Sequence, residues 1–148
     1  MKAVIQKVNH AKVVVKDSII AEINFGLLVF LGIEKRDTEK NLVKLANKIY
    51  HYRIFSDENH KMNLSLKNVK GELLIVSQFT IAATTNKGLR PSFSSSETGT
   101  IAEQYYLDFI EYCKKNMDIR VQSGVFGADM RVILENIGPT TFILAETP

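Results

Sequence analysis

Residues 26–33 read Gly-Leu-Leu-Val-Phe-Leu-Gly-Ile, a nearly continuous apolar run with glycines at positions 26 and 32. A short apolar run that does not alternate with polar residues is typical of a strand buried on both faces. Such a strand needs neighbours on both sides and a packed layer above and below it. This stretch therefore predicts a protein built around a central β-sheet.

Further strand-like runs lie on both sides of this stretch. The pair Asp17-Ser18 separates two such runs, a pattern typical of a β-hairpin. Asn24 to Gly26 gives a second turn. The additional runs with strand-like composition cover residues 4–8, 12–16, 19–23, 72–81, 119–123, 130–135 and 140–145. Gly138-Pro139 lies between the last two runs. A proline between strands fits a turn, an edge or a bulge.

Two segments have helical periodicity instead. In the first, Asp37 or Thr38 is the natural N-cap of a helix. In the second, Thr100 and Glu103 have capping-box spacing, and Lys114 suits the negative end of the helix dipole. The buried stripes predicted for the two helices are Leu42, Leu45, Ala46, Ile49 and Tyr50, and Ala102, Tyr105, Tyr106, Phe109, Ile110 and Cys113. Two helices among many strands indicate a mixed, mostly antiparallel α+β fold.

Composition narrows the class of protein. The 148 residues fit a single domain, 1–148, and 45% hydrophobic with 24% charged residues is ordinary for a globular protein. One cysteine, Cys113, excludes a disulfide scaffold. The longest apolar run, residues 27–31, is far too short to span a membrane, so a soluble cytoplasmic protein is expected. The three histidines show no metal-ligand spacing, so we expect neither a metal nor a cofactor.

Three places could carry chemistry. Ser77-Gln78-Phe79-Thr80 puts polar groups where an apolar strand meets a loop, although the same residues fit a strand end that satisfies its own backbone. Lys87 and Arg90 flank a glycine on the next loop and could reach phosphate, or simply be solvated. The bond between Gly138 and Pro139 is expected to be trans, because only about 5–6% of X-Pro bonds are cis in folded proteins.

Several spaced motifs, in one order over the whole chain, resemble the family of D-aminoacyl-tRNA deacylases. The motifs that carry the resemblance are Ala3 to Val8, Gly26 to Gly32, Tyr52 to Asp57, Lys61 to Asn63, Ser77 to Thr80, Lys87 to Phe93, Phe126 to Met130, and Asn136 to Thr141. Two positions depart from the family pattern: Ile137 stands where Asp is frequent, and Thr140 where Val is usual. A related animal group carries Pro and Ala where this chain has Ser77 and Phe79, which favours the D-specific branch.

The resemblance implies a homodimer with a barrel-like β core, two main helices packed on it, and an active site at the subunit interface. Its substrate would be D-aminoacyl-tRNA, with mischarged glycyl-tRNA also accepted, and neither DNA nor a membrane is an expected partner. Catalysis would involve Ser77, Gln78, Phe79 and Thr80, and tRNA would contact Lys87 and Arg90. Gly138 and Pro139 of the other subunit, joined by a cis bond, would form a chirality gate.

The mechanism has two candidate forms at this point. Thr80 could be a nucleophile, but no base is visible near it in the sequence. Alternatively, backbone amides near Phe79 and Thr80 could stabilise an oxyanion while the terminal ribose hydroxyl helps to activate water. Two rival classes are an RNA-binding module, which would show exposed aromatics among basic residues, and a small-molecule esterase, which would need an activated nucleophile such as Gly-x-Ser-x-Gly.

Overall fold

A computed structural model of the protein describes residues 1–147. This part of the chain forms eight strands, three α-helices and one 3-10 helix. The strands are β1 (Lys2–Val15), β2 (Ser18–Ile23), β3 (Gly26–Gly32), β4 (Phe55–Ser56), β5 (Met62–Leu64), β6 (Glu72–Ser77), β7 (Val121–Ser123) and β8 (Arg131–Ala145). The helices are α1 (Glu39–His51), α2 (Leu66–Val69), the 3-10 helix (Phe79–Ala82) and α3 (Gly99–Asn116).

The long strand β1 organises the main sheet. It pairs antiparallel with β3 through residues 2–8 and with β2 through residues 11–15, and β8 runs antiparallel along its other edge. Two parallel pairs, β3 with β6 and β6 with β7, extend the sheet. Because β7 comes back towards β2, the six-stranded sheet curls into a nearly closed barrel. The predicted α+β class, with mostly antiparallel pairing, is confirmed.

The stretch that predicted the central strand is β3. Its residues are buried apart from half-buried Phe30, as expected for a strand covered on both faces. Gly26 at its start lies so close to β6 that a Cβ there would be 1.9 Å from the carbonyl oxygen of Glu72. Glycine is therefore required for the two strands to meet at this point.

Two apolar clusters lie on the two faces of the sheet. The helices α1 and α3 cover one face, where Leu45, Ile49 and Phe109 are fully buried. Inside the barrel lies the second cluster, which includes Val8, Leu28 and Leu74. Both predicted helical stripes face the first cluster, and α1 begins after Thr38 as predicted. Cys113 is a buried free thiol whose pKa is raised to about 12 by that burial.

Several local predictions were wrong. The runs 4–8 and 12–16 form one strand, as do 130–135 and 140–145, because each pair continues across a bulge along its partner. The helix α3 has Thr98 as its N-cap, so the predicted capping box of Thr100 and Glu103 does not form. The short helix α2 was not predicted.

Two more features of the chain bear on the sequence-based expectations. The Gly138-Pro139 bond is cis, against the base rate and in agreement with the family resemblance. Between residues 1 and 147, no helix has the length and apolar composition needed to cross a membrane.

Candidate active site

The Ser77 to Thr80 segment lies where β6 ends. Ser77 pairs with Leu31 of β3 as the last residue of the strand, and the Gln78 amide donates to the Leu31 carbonyl over 2.7 Å. Gln78 then turns the chain, with φ −145° and ψ 82°, into the 3-10 helix that starts at Phe79. The structure therefore places all four predicted residues together, on a rigid strand end, with Phe79 and Thr80 exposed.

The first amides of the 3-10 helix are available to a ligand. The Ile81 amide donates to the Gln78 carbonyl, and the Ala83 amide to the Thr80 carbonyl. The amides of Phe79 and Thr80 come earlier in the helix, where no helical carbonyl can accept from them. No other acceptor within residues 1–147 bonds either amide. Two neighbouring N–H groups can thus bind one anionic oxygen.

The Thr80 hydroxyl, unlike the two amides, has a hydrogen-bond partner. It accepts a hydrogen bond of 2.6 Å from the side-chain amide of Gln78. In the part of the chain that the structure describes, no imidazole or carboxylate bonds this hydroxyl. An amide nitrogen cannot remove the proton, so this contact positions the hydroxyl without activating it as a nucleophile.

A neighbouring serine-rich segment holds the 3-10 helix in place. Ser96 Oγ donates to the Phe79 carbonyl over 3.2 Å, and Ser95 Oγ donates to the Ala82 carbonyl over 2.6 Å. The Phe79 ring packs on the Phe93 ring with 5.1 Å between centroids. Sequence reasoning did not identify these serines, although so many hydroxyls beside a candidate site were a usable signal.

Lys87 and Arg90 lie on an exposed hairpin that connects the 3-10 helix to this serine segment. Thr84 and Ser92 exchange backbone hydrogen bonds of 2.8 and 3.0 Å at the base of the hairpin. All residues between them are exposed, and Leu89 is fully exposed at 104% of its reference area. The two basic side chains thus project into solvent from the same loop, as a nucleic-acid contact requires.

Gly138 and Pro139 form a bulge in β8. Thr141 is opposite Gln6 of β1 and Asn136 is opposite Val8, so residues 137–140 together face a single residue of the partner strand. The extra residues therefore form a bulge, in which Gly138 and Pro139 are exposed and Thr140 is buried. Gly138 has φ +118°, a conformation that only glycine adopts readily, and both it and Pro139 are exposed.

Side-chain amides fix this bulge. Asn136 Oδ1 accepts from the Thr140 amide over 2.8 Å, and Asn136 Nδ2 donates to Thr141 Oγ1 over 2.9 Å. Gln6 Nε2 donates to the same hydroxyl oxygen over 3.1 Å. Thr140 is buried at 5% exposure, so the side chain at the position where the family usually has Val points inward. The bulge is thus a fixed shape, and Asn136 and Gln6 are supporting residues that sequence reasoning did not identify.

The two candidate segments lie far apart within one chain. In the register of the sheet, Ser77 aligns with Ala3 of β1. The bulge lies opposite Lys7, four residues further along that strand. The segments are also separated by three strand spacings, from β6 through β3 and β1 to β8. At about 3.3 Å per residue and 4.8 Å per spacing, they lie about 20 Å apart along the sheet.

The described residues contain no group of three His, Cys, Asp or Glu side chains that could hold a metal ion. The exposed pair His10 and Glu135, 3.1 Å apart, is a surface contact.

Solved structures share this fold. One, titled c-Myc DNA Unwinding Element Binding Protein, matches with a TM-score of 0.95 over 100% of both chains at 37% identity. Another, titled as a structural analysis of a probable eukaryotic D-amino acid tRNA deacylase, matches with a TM-score of 0.74 over 97% of both chains. The latter is 18% identical, so that likeness concerns the fold alone.

Sequence relatives define the class as an acyl-ester hydrolase. D-aminoacyl-tRNA deacylases of Pseudoalteromonas translucida and Haemophilus influenzae are each 54% identical to this chain, over 98% and 97% of its length and 99% of their own. The family model described as D-Tyr-tRNA(Tyr) deacylase matches residues 4–145. The chain belongs to the D-Tyr-tRNA(Tyr) deacylase family. The family and the hydrolase class predicted from the sequence are thereby confirmed.

Proposed function

We propose that the protein hydrolyses the ester between a D-amino acid and the 3′ end of tRNA, and so removes mischarged D-amino acids before translation. Membership of the deacylase family supports the reaction. The observation that carries the proposal in the structure is the pair of available amides at Phe79 and Thr80 on an exposed strand end. Such a pair suits an ester whose carbonyl oxygen becomes negatively charged during hydrolysis.

In the proposed mechanism, water attacks the ester carbonyl and the two amides bind the oxyanion that develops. The oxyanion then collapses, the bond to the ribose oxygen breaks, and that oxygen takes up the proton that the water loses. No base among the described residues bonds the Thr80 hydroxyl, so we assign it a structural role beside Gln78. The free hydroxyl of the terminal ribose lies next to the ester in the substrate itself and helps to activate the water. Aminoacyl esters are labile, so positioning and oxyanion stabilisation suffice for this reaction.

We further propose that the site is completed by a second copy of the chain. The bulge at Gly138 and Pro139 lies about 20 Å along the sheet from the 3-10 helix of its own chain. A homodimer would place the bulge of one subunit over the helix of the other. The exposure of Phe79 at 55% and of Leu89 at 104% is consistent with surfaces that a partner covers.

This arrangement would explain a preference for D-substrates. An L-side chain would point into the fixed bulge, whereas a D-side chain would point towards solvent. Selection by exclusion needs no side-chain pocket, so many D-amino acids would be accepted, and glycine would also be accepted because it has nothing to exclude. Lys87 and Arg90, exposed on the hairpin, would contact tRNA phosphates.

The test is release of amino acid from charged tRNA by the purified protein, with D-tyrosyl-, L-tyrosyl- and glycyl-tRNA as parallel substrates. We expect rapid release of D-tyrosine, release of glycine, and no release of L-tyrosine above the uncatalysed rate. Duplex DNA added as a competitor should not inhibit, and sizing chromatography should show a dimer. Equal rates for D- and L-tyrosine, or an active monomer, would contradict the proposal.

A further inference from the structure

We propose that Lys35 and Arg36, together with the hydroxyl of Ser94, form a phosphate-binding site for the RNA strand that leads to the ester. This inference rests on the proposed function and adds a substrate-binding site to it. The site is a surface cavity of about 540 Å³. Its lining residues are Glu34, Lys35, Arg36, Ser94, Ser95 and Thr147.

The cavity wall is joined to the 3-10 helix by consecutive hydrogen bonds. The Glu97 amide donates to the Ile33 carbonyl, and the Lys35 amide donates to the Ser95 carbonyl, each over 2.9 Å. The Ser95 hydroxyl in turn donates to the Ala82 carbonyl at the end of the 3-10 helix. Gly32 lies against the 3-10 helix. Three residues reach about 10 Å at most, so the Lys35 backbone lies on the order of 10 Å from the helix. A short single-stranded stretch of RNA spans that distance.

The charge of this cavity favours an anion. Within residues 1–147, neither Lys35 nor Arg36 forms an ion pair, and both are exposed. Among residues 1–147, Glu34 is the one carboxylate in the lining, and it is engaged by Lys2 Nζ at 2.8 Å and by the amino group of Met1 at 3.1 Å. Although burial alone would raise it, the pKa of Glu34 is lowered by hydrogen bonds from these two groups.

Ser94 completes the site with a hydroxyl donor, and Ser95 positions the wall behind it. Ser94 is exposed, and its hydroxyl lies 3.1 Å from that of Ser92, where either oxygen can donate. The Ser95 hydroxyl donates its only proton to the Ala82 carbonyl, so its role is to position the wall of the cavity. Two cations with a free hydroxyl are a common way of holding a phosphodiester.

This site differs from the basic pair Lys87 and Arg90. Those residues lie on an exposed hairpin, whereas Lys35 and Arg36 lie on a segment bonded to the serine wall. A pair on a backbone bonded near the 3-10 helix can set how far the strand enters the site. A pair on a projecting loop adds attraction without fixing that distance. The two pairs therefore make separate contributions to tRNA binding.

The test compares two substrates: D-tyrosyl-tRNA and D-tyrosyl-adenosine, which carries the ester but no phosphate. The variant is Lys35→Gln with Arg36→Gln, and the control is Lys114→Gln with Lys115→Gln, which removes the same charge from the exposed end of α3. We expect the variant to raise KM for D-tyrosyl-tRNA about tenfold with little change in kcat, and to leave KM for D-tyrosyl-adenosine within twofold. The slope of log KM against log salt concentration should fall by about 0.7 for each phosphate that the variant no longer neutralises.

The control should leave KM and the salt slope close to wild type. An unchanged KM and salt slope in the Lys35 and Arg36 variant would overturn the phosphate site while leaving the deacylase proposal intact. Equal losses on both substrates would also overturn it, because a phosphate contact cannot affect a substrate without phosphate. A wild-type protein inactive on every D-aminoacyl substrate would instead contradict the proposed function itself.

Discussion

The 3-10 helix after β6 and the bulge in β8 are two interruptions of strands with opposite consequences. After Ser77 the strand ends, and no acceptor among residues 1–147 bonds the amides of Phe79 and Thr80. In β8 the strand continues past the interruption, and Asn136 binds the polar groups around the bulge. The first region thus offers donors to a ligand, whereas the second offers a fixed surface. A site that must bind one substrate and exclude another can combine one region of each kind.

The largest effect should follow from removing an amide donor in the first region. Phe79→Pro deletes the Phe79 N–H, and proline is well tolerated at the first position of a helix. We expect kcat for D-tyrosyl-tRNA to fall roughly 10²- to 10³-fold, as for the loss of an oxyanion donor. Single-turnover kinetics with saturating enzyme measures this directly.

Phe79→Ala is the matched control, since it removes the same ring and its packing on Phe93 but keeps the amide. We expect it to change KM several-fold and to retain most of kcat. If the alanine and proline variants lost equal activity, the ring would matter and the amide would not. Circular dichroism should show the same fold for both variants.

A somewhat smaller effect should follow from reshaping the second region. Gly138 has φ +118°, and a Cβ there would lie 2.5 Å from Thr140 Oγ1, so Gly138→Ala must displace the bulge. Displacements of about 1 Å at a site can cost about 100-fold in rate. We therefore expect kcat/KM for D-tyrosyl-tRNA to fall about 100-fold, with a smaller ratio of D- to L-tyrosyl hydrolysis.

Gly99→Ala is the control for this variant. Gly99 also has a positive φ of +63°, but a Cβ there meets no atom within 4 Å. It should lose some stability and keep its activity and its chiral preference. Mixing Gly138→Ala with Phe79→Pro subunits should restore part of the activity, because a heterodimer contains one intact pairing of helix and bulge. No recovery after refolding the mixture would argue against a shared site.

The sequence predicted these two regions unequally. The β6 strand and the polar residues at its end were visible from apolar patterning, because burial on both faces leaves a local signature. The availability of the amides was not visible, since it depends on where the strand stops and a 3-10 helix begins. Spacing alone favoured a strand end with satisfied hydroxyls for Ser77 to Thr80 over a functional site.

The bulge was harder to predict because its cause is not local. Gly138 and Pro139 predicted two separate strands, with a turn, an edge or a bulge at the proline. Pairing with β1 on both sides of the bulge keeps β8 continuous, and Gln6, 135 residues away from Thr141, helps to fix it. The cis bond was likewise indicated by the family resemblance and not by composition.

The smallest effect should come from Thr80→Ala, which tests whether the first region acts through its backbone or through a side chain. The Thr80 hydroxyl accepts from Gln78 Nε2 over 2.6 Å and has no base, so its loss removes a positioning contact and leaves both amides in place. We expect kcat for D-tyrosyl-tRNA to fall less than tenfold. An essential nucleophile would instead cost many orders of magnitude, as the loss of a catalytic serine does in proteases. Thr80→Ser provides the control, because it keeps the hydroxyl and should match wild type. Acid quenching of wild-type enzyme with labelled D-tyrosyl-tRNA should leave no label on protein, since water attacks the ester directly. A covalent D-tyrosyl ester on Thr80 would show that the side chain, and not the backbone, is the reactive group of this region.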